Sequence, residues 1–407
     1  MGGLPRRATY IAQKTTEGFQ KIIVDSGDFS SPGSKHGEFK TEWMIHGMGD
    51  LGYDAVAVGE RDLQLGRARL LQLAKKYSLP LVCANLFDTD TNEFYVKPYV
   101  IVEKGNKSFL GLMGHSAKVG IFAVISPTFI TPVAVRGEKP LKVTDPVRAA
   151  ETAIKKLQEE GCTVIIALAH TSIPEAGRIA ALGGLSAIVM GHALSYVREP
   201  RFDNGAVIVQ AGREGRYIGD IQIEVGQGNE VESVEGKVEA LSSTYKDDPH
   251  FAALISEYKK ALEVHVFAPQ RTQDAGVQLY VGKSTCGSCH ADELEQWETT
   301  AHAHAFATLV QNKSHFDPEC VRCHVTGYGR GNGFKDANTT PAMADVQCEV
   351  CHGPGFEHFR FHSKSGEKGS EAKAEMAEVT ESICLQCHTD DRDPGFDYEK
   401  KIAEVTH

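Results

Sequence analysis

No stretch of this sequence stays apolar for the roughly 18 residues that a membrane-crossing helix needs, which excludes a helical transmembrane segment. Cysteine is scarce in the first 278 residues, which hold only Cys83 and Cys162. Both sit in apolar, strand-like runs ("LPLVCANLF", "GCTVIIALAH") and read as buried small hydrophobes. Positive charge is also short. Residues 279–407 hold 12 Lys+Arg against 21 Asp+Glu, so most of the net −11 lies there. That argues against nucleic acid and for partners with basic docking surfaces. The opening "MGGLPRRATYIAQKT" has Arg6 and Arg7 but lacks the apolar segment of an export signal.

What is present divides the chain. At 407 residues, with 41% hydrophobic and 24% charged residues, it reads as a soluble protein of two domains. The other eight cysteines are all paired: "CGSCH" (Cys286, Cys289, His290), "CVRCH" (Cys320, Cys323, His324), "CEVCH" (Cys348, Cys351, His352) and "CLQCH" (Cys384, Cys387, His388). C-x-x-C-H is the attachment sequence of haem c. Two thiols three residues apart bond one porphyrin, and the adjacent histidine reaches the iron. Paired cysteines could instead make zinc sites, but zinc needs no histidine after each second cysteine. A disulfide framework would not repeat the pentapeptide either. Four covalent haems are expected, forming much of the core of a segment with short helices, long loops and little sheet.

Further axial ligands are sought among the other histidines. "ELEQWETTAHAHAFATLV" reads as one helix, with Leu294, Trp297 and Ala301 on one stripe. His302 and His304 lie two apart on it, on opposite faces, so they would serve different irons. "CHGPGFEHFRFH" adds His358, with His362 one turn on, and His315 is a weaker candidate. "VGKSTCGSCHADELEQW", "HAHAFATL", "FDPECVRCHVTGYG" and "VQCEVCHGPGFEH", in that order, resemble the tetrahaem cytochrome c-554 family over about residues 279–390. The resemblance implies electron transfer, with His302, His358 and His304 as distal ligands. Members of that family can leave one haem five-coordinate, and the haem of His324 is the candidate here.

Before residue 230 helical and strand-like segments alternate, implying an α/β sheet with helices on both faces. Ligand groups gather at the C-terminal ends of such strands. Asp25, Asp28, Glu60, Asp62, His170 and His192 all fall there. "GGLPRRA", "VDSGDF", "LGYDAVAVGERDLQLG", "ALAHTS", "VMGHALS", "QAGREGRYIGDI" and "DDPHFAALISEYKKAL" resemble the calcineurin-like metallophosphoesterases of the bacterial 5′-nucleotidase branch, over about residues 2–265. The resemblance implies a two-metal site. Asp28 matches the bridging aspartate, and His170 and His192 match ligands of the second metal. The departures are Glu60 for an asparagine ligand, Arg61 for a histidine that protonates the leaving group, and Leu194 for the second histidine of G-H-x-H. The first-strand D-x-H pair would precede "GGLPRRA". One divalent ion on Asp28, Glu60, His170 and His192 is what the set still supports, whereas two-metal hydrolysis needs both ions.

In the resembled cytochromes haem is attached outside the cytoplasm. The missing export signal and the missing first strand lie at the same end. Both are expected if Met1 is internal to a longer chain. The reading is a periplasmic or extracellular protein of two fold classes. An α/β metallophosphoesterase-like layered sandwich (1–228) leads through a connector with one helix (229–278), at Pro249 to Val264, to a mostly helical and irregular multihaem cytochrome domain (279–407). Electron transfer with redox partner proteins is the favoured function. A reductase at an open haem, a surviving phosphoesterase, and a docking role within a homo-oligomer or cytochrome assembly are the alternatives.

Overall fold

The computed structural model describes residues 2–17, 19–31, 33–105, 116–130, 137–192, 197–226, 229–265, 276–363, 375–389, 392–393 and 395–407. Leu194 lies outside the described residues. The chain divides into two units, Met1–Ser256 and Glu257–His407.

In the first unit, strands β1 (Val24–Asp25), β2 (Ala55–Ala57) and β3 (Leu81–Val82) form a parallel three-stranded sheet. A second sheet is built on four parallel strands, β6 (Ser116–Ile125), β8 (Val164–His170), β9 (Ala187–Met190) and β11 (Ala206–Val209). The antiparallel strands β5 (Tyr99–Gly105) and β10 (Arg201–Asp203) form its two edges.

Strand β8, "VIIALAH", is buried at all seven positions. Its side chains alternate between faces. Val164, Ile166 and Leu168 meet Ala55, Ala57 and Val82 of the smaller sheet. Ile165, Ala167 and Ala169 pack against helices α5 (Pro146–Glu159) and α6 (Ile173–Ala180). The far face of the smaller sheet packs on α1 (Leu4–Thr16), α2 (Lys35–Leu51) and α4 (Arg67–Lys76). The order is helix, sheet, sheet, helix. This is the layered sandwich expected from the resemblance; the alternation of helices and strands alone implied one sheet, and strands apolar on both faces can be covered by a second sheet as well as by helices.

Local chemistry explains the helices. Asp145 accepts from the Val147 and Arg148 N–H groups (both 2.9 Å), Pro146 opens the helix, and Ala150, Ala153, Ile154 and Leu157 form the buried stripe. The segment read as a connector holds strand β13 (Val231–Ala240), paired with β12 (Tyr217–Val225), before helix α7 (Pro249–Val264).

The second unit is helical turns and loops. Among its described residues the β-structure is one isolated bridge, Val325 to Ala344. Its buried cluster is small: Tyr280, Leu309, Val321, Val325, Phe334 and Met343. Large apolar side chains stay exposed, including Val310, Phe316, Phe359 and Leu385. The helix expected across His302 and His304 is three pieces: α9 (Ala291–Glu298), a 3-10 turn (Ala301–His304) and α10 (Ala305–Gln311). The Thr299 and Thr300 hydroxyls bond back to the Gln296 and Trp297 carbonyls (both 2.7 Å) where α9 ends. Such side-chain bonds compete with the helical ladder.

Candidate functional site

The first unit brings four side chains together at strand C-termini. His170 ends β8, His192 lies two residues past β9, Asp28 three past β1, and Glu60 opens the short helix α3 (Glu60–Leu63). One donor atom from each lies within 4.8 Å of all the others. His170 Nε2 is 2.6 Å from Glu60 Oε2 and 3.6 Å from Asp28 Oδ2. His192 Nδ1 is 2.9 Å from Glu60 Oε1.

The surroundings aim these groups. His170 Nδ1–H donates to the Ser26 carbonyl at 2.7 Å, which turns Nε2 toward the carboxylates. Metal-binding histidines are oriented this way. Asp28 and His192 both sit at positive φ (63° and 56°), an uncommon conformation for either residue type. Close approach explains two glycines. A Cβ on Gly59 would stand 2.2 Å from Asp28 Oδ1, and one on Gly191 would stand 2.4 Å from the Ser26 carbonyl. The Phe129 ring stacks on His192 at 3.6 Å.

Asp25 and Asp62 serve the frame instead. Asp62 is buried and accepts from the backbone N–H groups of Asp28 (2.8 Å), Gly59 (2.9 Å) and Ser30 (3.0 Å). Burial, and then the Asp28 charge, push its carboxyl up to about 7. Asp25 accepts from Gly27 N–H at 3.0 Å. Burial raises its pKa, against the pull of the Arg7 guanidinium. Burial also raises Glu60, but the hydrogen bond and charge of His170 outweigh it and hold that carboxyl at about 2. Arg61 spends its backbone N–H on Asp28 Oδ1 (2.9 Å) and leaves its side chain exposed. Two carboxylates and two imidazoles suit one divalent ion of the zinc or manganese type.

In the second unit the four C-x-x-C-H motifs begin or end short helices, and their eight cysteines form no disulfide with one another. Three motif histidines each face another imidazole. Ring centroids are 6.3 Å apart for His290 and His358, 6.1 Å for His302 and His388, and 5.7 Å for His352 and His407. With metal–nitrogen bonds of about 2 Å on either side, two axial rings stand roughly 6 Å apart. The residues therefore fit an iron between each pair. His324 faces no second imidazole among the described residues. Its Nδ1–H donates to the Ala305 carbonyl at 2.7 Å. His388 Nδ1 lies 2.7 Å from Asp393 Oδ2, and His352 Nδ1 lies 3.3 Å from the Ala377 carbonyl.

His304 is exposed and meets no ring among the described residues. His362 lies 4.6 Å from His358, and His315 packs on Phe306 and Phe316. His407 was missed in the sequence because no motif marks it. Sulfurs of different motifs also lie near enough to influence one another: Cys286 and Cys348, Cys323 and Cys387, and Cys351 and Cys384.

Residues 285–353 match the family model for cytochrome c554 and c-prime. Cytochrome c-554 of Nitrosomonas europaea is 36% identical over 103 residues, 22% of this chain and 44% of that protein. Snake venom 5′-nucleotidase of Naja atra is 26% identical over 352 residues, 81% of this chain and 63% of that protein. The crystal structure of the calcineurin-like phosphoesterase YfkN from Bacillus subtilis matches with a TM-score of 0.56 at 26% identity, over 64% of this chain and 89% of that one. The protein thus joins two classes, a mixed α/β fold with a candidate metal site and a cytochrome c domain. In particular, a 5′-nucleotidase-type, calcineurin-like phosphoesterase domain spans the N-terminal part, and a cytochrome c554 domain, which implies covalent haem c, follows it. The chain spans less than two thirds of the length of either curated relative.

Proposed function

We propose that this protein is an extracytoplasmic electron carrier with four covalent haems, and that its phosphoesterase-like domain holds one divalent ion without hydrolysing phosphoesters. Haem c supplies a one-electron iron couple. The observation that carries the reading is the set of facing imidazoles. His290 with His358, His388 with His302, and His352 with His407 are the axial pairs. His324 is the proximal ligand of the remaining haem, that of the second motif, whose sixth position is open. His304 is left without an iron.

The neighbouring sulfurs support an order of transfer. The first motif adjoins the third, the third adjoins the fourth, and the fourth adjoins the second. Electrons therefore pass between the His290 haem and the open His324 haem through the other two. The acidic haem domain, about residues 279–407, suits partners with basic docking surfaces. An open His324 haem also favours a second reading, reduction of a small molecule at that iron.

The test uses protein matured in an export-competent host. Mass spectrometry should show four haem adducts, and the reduced protein should bind one carbon monoxide per chain. Zinc at any motif, or no carbon monoxide binding, would overturn the respective part of the assignment.

A further inference from the structure

Glu349, the second residue of the third motif, is a carboxylate only 3% exposed. Its oxygens accept from three backbone N–H groups that belong to other segments. Oε1 takes Gly355 (2.7 Å) and Val281 (3.0 Å); Oε2 takes Gly282 (2.8 Å) and shares Val281 (3.2 Å). The Gly282 carbonyl accepts from Thr285 (3.0 Å) and Cys286 (3.3 Å), so it caps helix α8 (Lys283–Cys286), which leads to His290. The Gly355 carbonyl accepts from Phe359 at 2.9 Å, opening helix α13 (Phe356–Ser363), which carries His358. One side chain thus ties the arm of His290 and the arm of His358 to helix α12 (Cys348–His352).

We propose that Glu349 is a positioning residue that sets the gap between His290 and His358, and so keeps the haem of the first motif six-coordinate. This rests on the reading of those imidazoles as an axial pair. The chemistry leaves little room for substitutes. An ionised carboxylate only accepts, whereas a glutamine amide offers one accepting oxygen and aims an NH2 at a backbone N–H. A buried donor left unpaired in this way is costly. An aspartate keeps both oxygens but withdraws them by about 1.5 Å, a displacement comparable with the iron–nitrogen bond itself. Among the described residues, the Phe356 N–H to Leu279 carbonyl bond (3.0 Å) is the backbone tie that remains between the two arms.

The experiment compares holoprotein of the wild type, Glu349→Gln, Glu349→Asp, His358→Ala and the double variant Glu349→Gln/His358→Ala. Haem is counted by peptide mass spectrometry, and carbon monoxide is titrated into reduced protein. The wild type should hold four haems and bind one carbon monoxide. Glu349→Gln should bind two, and Glu349→Asp should shift the same way. His358→Ala should also bind two, and the double variant two rather than three, because both changes open the same iron. If Glu349→Gln matures poorly, haem loss confined to Cys286 and Cys289 supports the proposal, and loss spread over all four motifs overturns it. A Glu349→Gln protein with four haems and one carbon monoxide site also overturns it. A His358→Ala protein that binds only one would refute the axial pair and the proposal with it.

Discussion

His170 and His192 approach the same carboxylate from two sides: Nε2 of the first lies 2.6 Å from Glu60 Oε2, and Nδ1 of the second lies 2.9 Å from Glu60 Oε1. Glu60 stands where the resembled family has a neutral asparagine, so the site carries one more negative charge than that pattern. With Asp28 the set has two anionic and two imidazole donors. Such a set should bind one manganese or zinc ion per chain. Elemental analysis after dialysis should give one metal equivalent beyond the haem iron. A saturating ion at about 100 times its Kd should stabilise the domain by about 2.7 kcal/mol. Glu60→Ala should weaken binding tenfold or more, on the order of what loss of a supporting group costs. Unchanged affinity in that variant would remove Glu60 from the site.

The Asp393 carboxylate meets Nδ1 of His388 at 2.7 Å. An anion on the far nitrogen makes a histidine a stronger donor to its metal, which favours ferric iron. Asp393→Asn should raise the potential of the fourth-motif haem on the order of 60 mV, tenfold in a one-electron equilibrium. A potentiometric titration resolving four haem components should show one moving up and three still. No movement would mean that the hydrogen bond does not tune that haem.

The candidate metal donors could be picked out because each follows an apolar run, and such runs become buried parallel strands whose C-termini converge. Strand β8 is the clearest instance, with His170 as its seventh buried residue. The layered sandwich came from the family resemblance and not from the apolar runs, since β8 would read the same under helices or under a second sheet. In the haem domain the proximal histidines are spelled out by the motif. The resemblance named His302 and His358 as candidate partners, but not which motif each meets, and not His407, because tertiary folding alone brings His407 to His352 and His358 to His290. His304 illustrates the converse: its spacing from His302 assumed an α-helix, and the threonine hydroxyls at the end of α9 replace it with a 3-10 turn.

His407 supplies an independent check on the pairing. Its ring lies 5.7 Å from His352. His407→Ala should leave the third-motif haem five-coordinate and add a second carbon monoxide site. Because that haem lies between the first and fourth in the proposed order, reduction of the His324 haem from a donor confined to the His290 end should slow. Stopped-flow reduction monitored on the high-spin band would show it. Full speed in a variant with a second carbon monoxide site would reject that order.

Phosphoester hydrolysis should be absent from the wild type and should not return with Leu194→His alone. Two-metal hydrolysis needs ions on both the attacking and the leaving oxygen. Asp28 would have to bridge them, and the four donors that gather beside it suit one ion. A new histidine at position 194 would add one donor for a second ion, too few to hold it. Arg61 is exposed and stands where the resembled enzymes place a proton donor. Its guanidinium stays protonated at working pH and gives up no proton to a leaving group. The assay is manganese-dependent release of nitrophenol from a generic phosphodiester by the wild type, Leu194→His and Leu194→His/Arg61→His. The first two should match the buffer blank. Turnover by the wild type would show that the domain is an active enzyme. Turnover confined to the double variant would locate the lost activity in the proton donor and the second ion together.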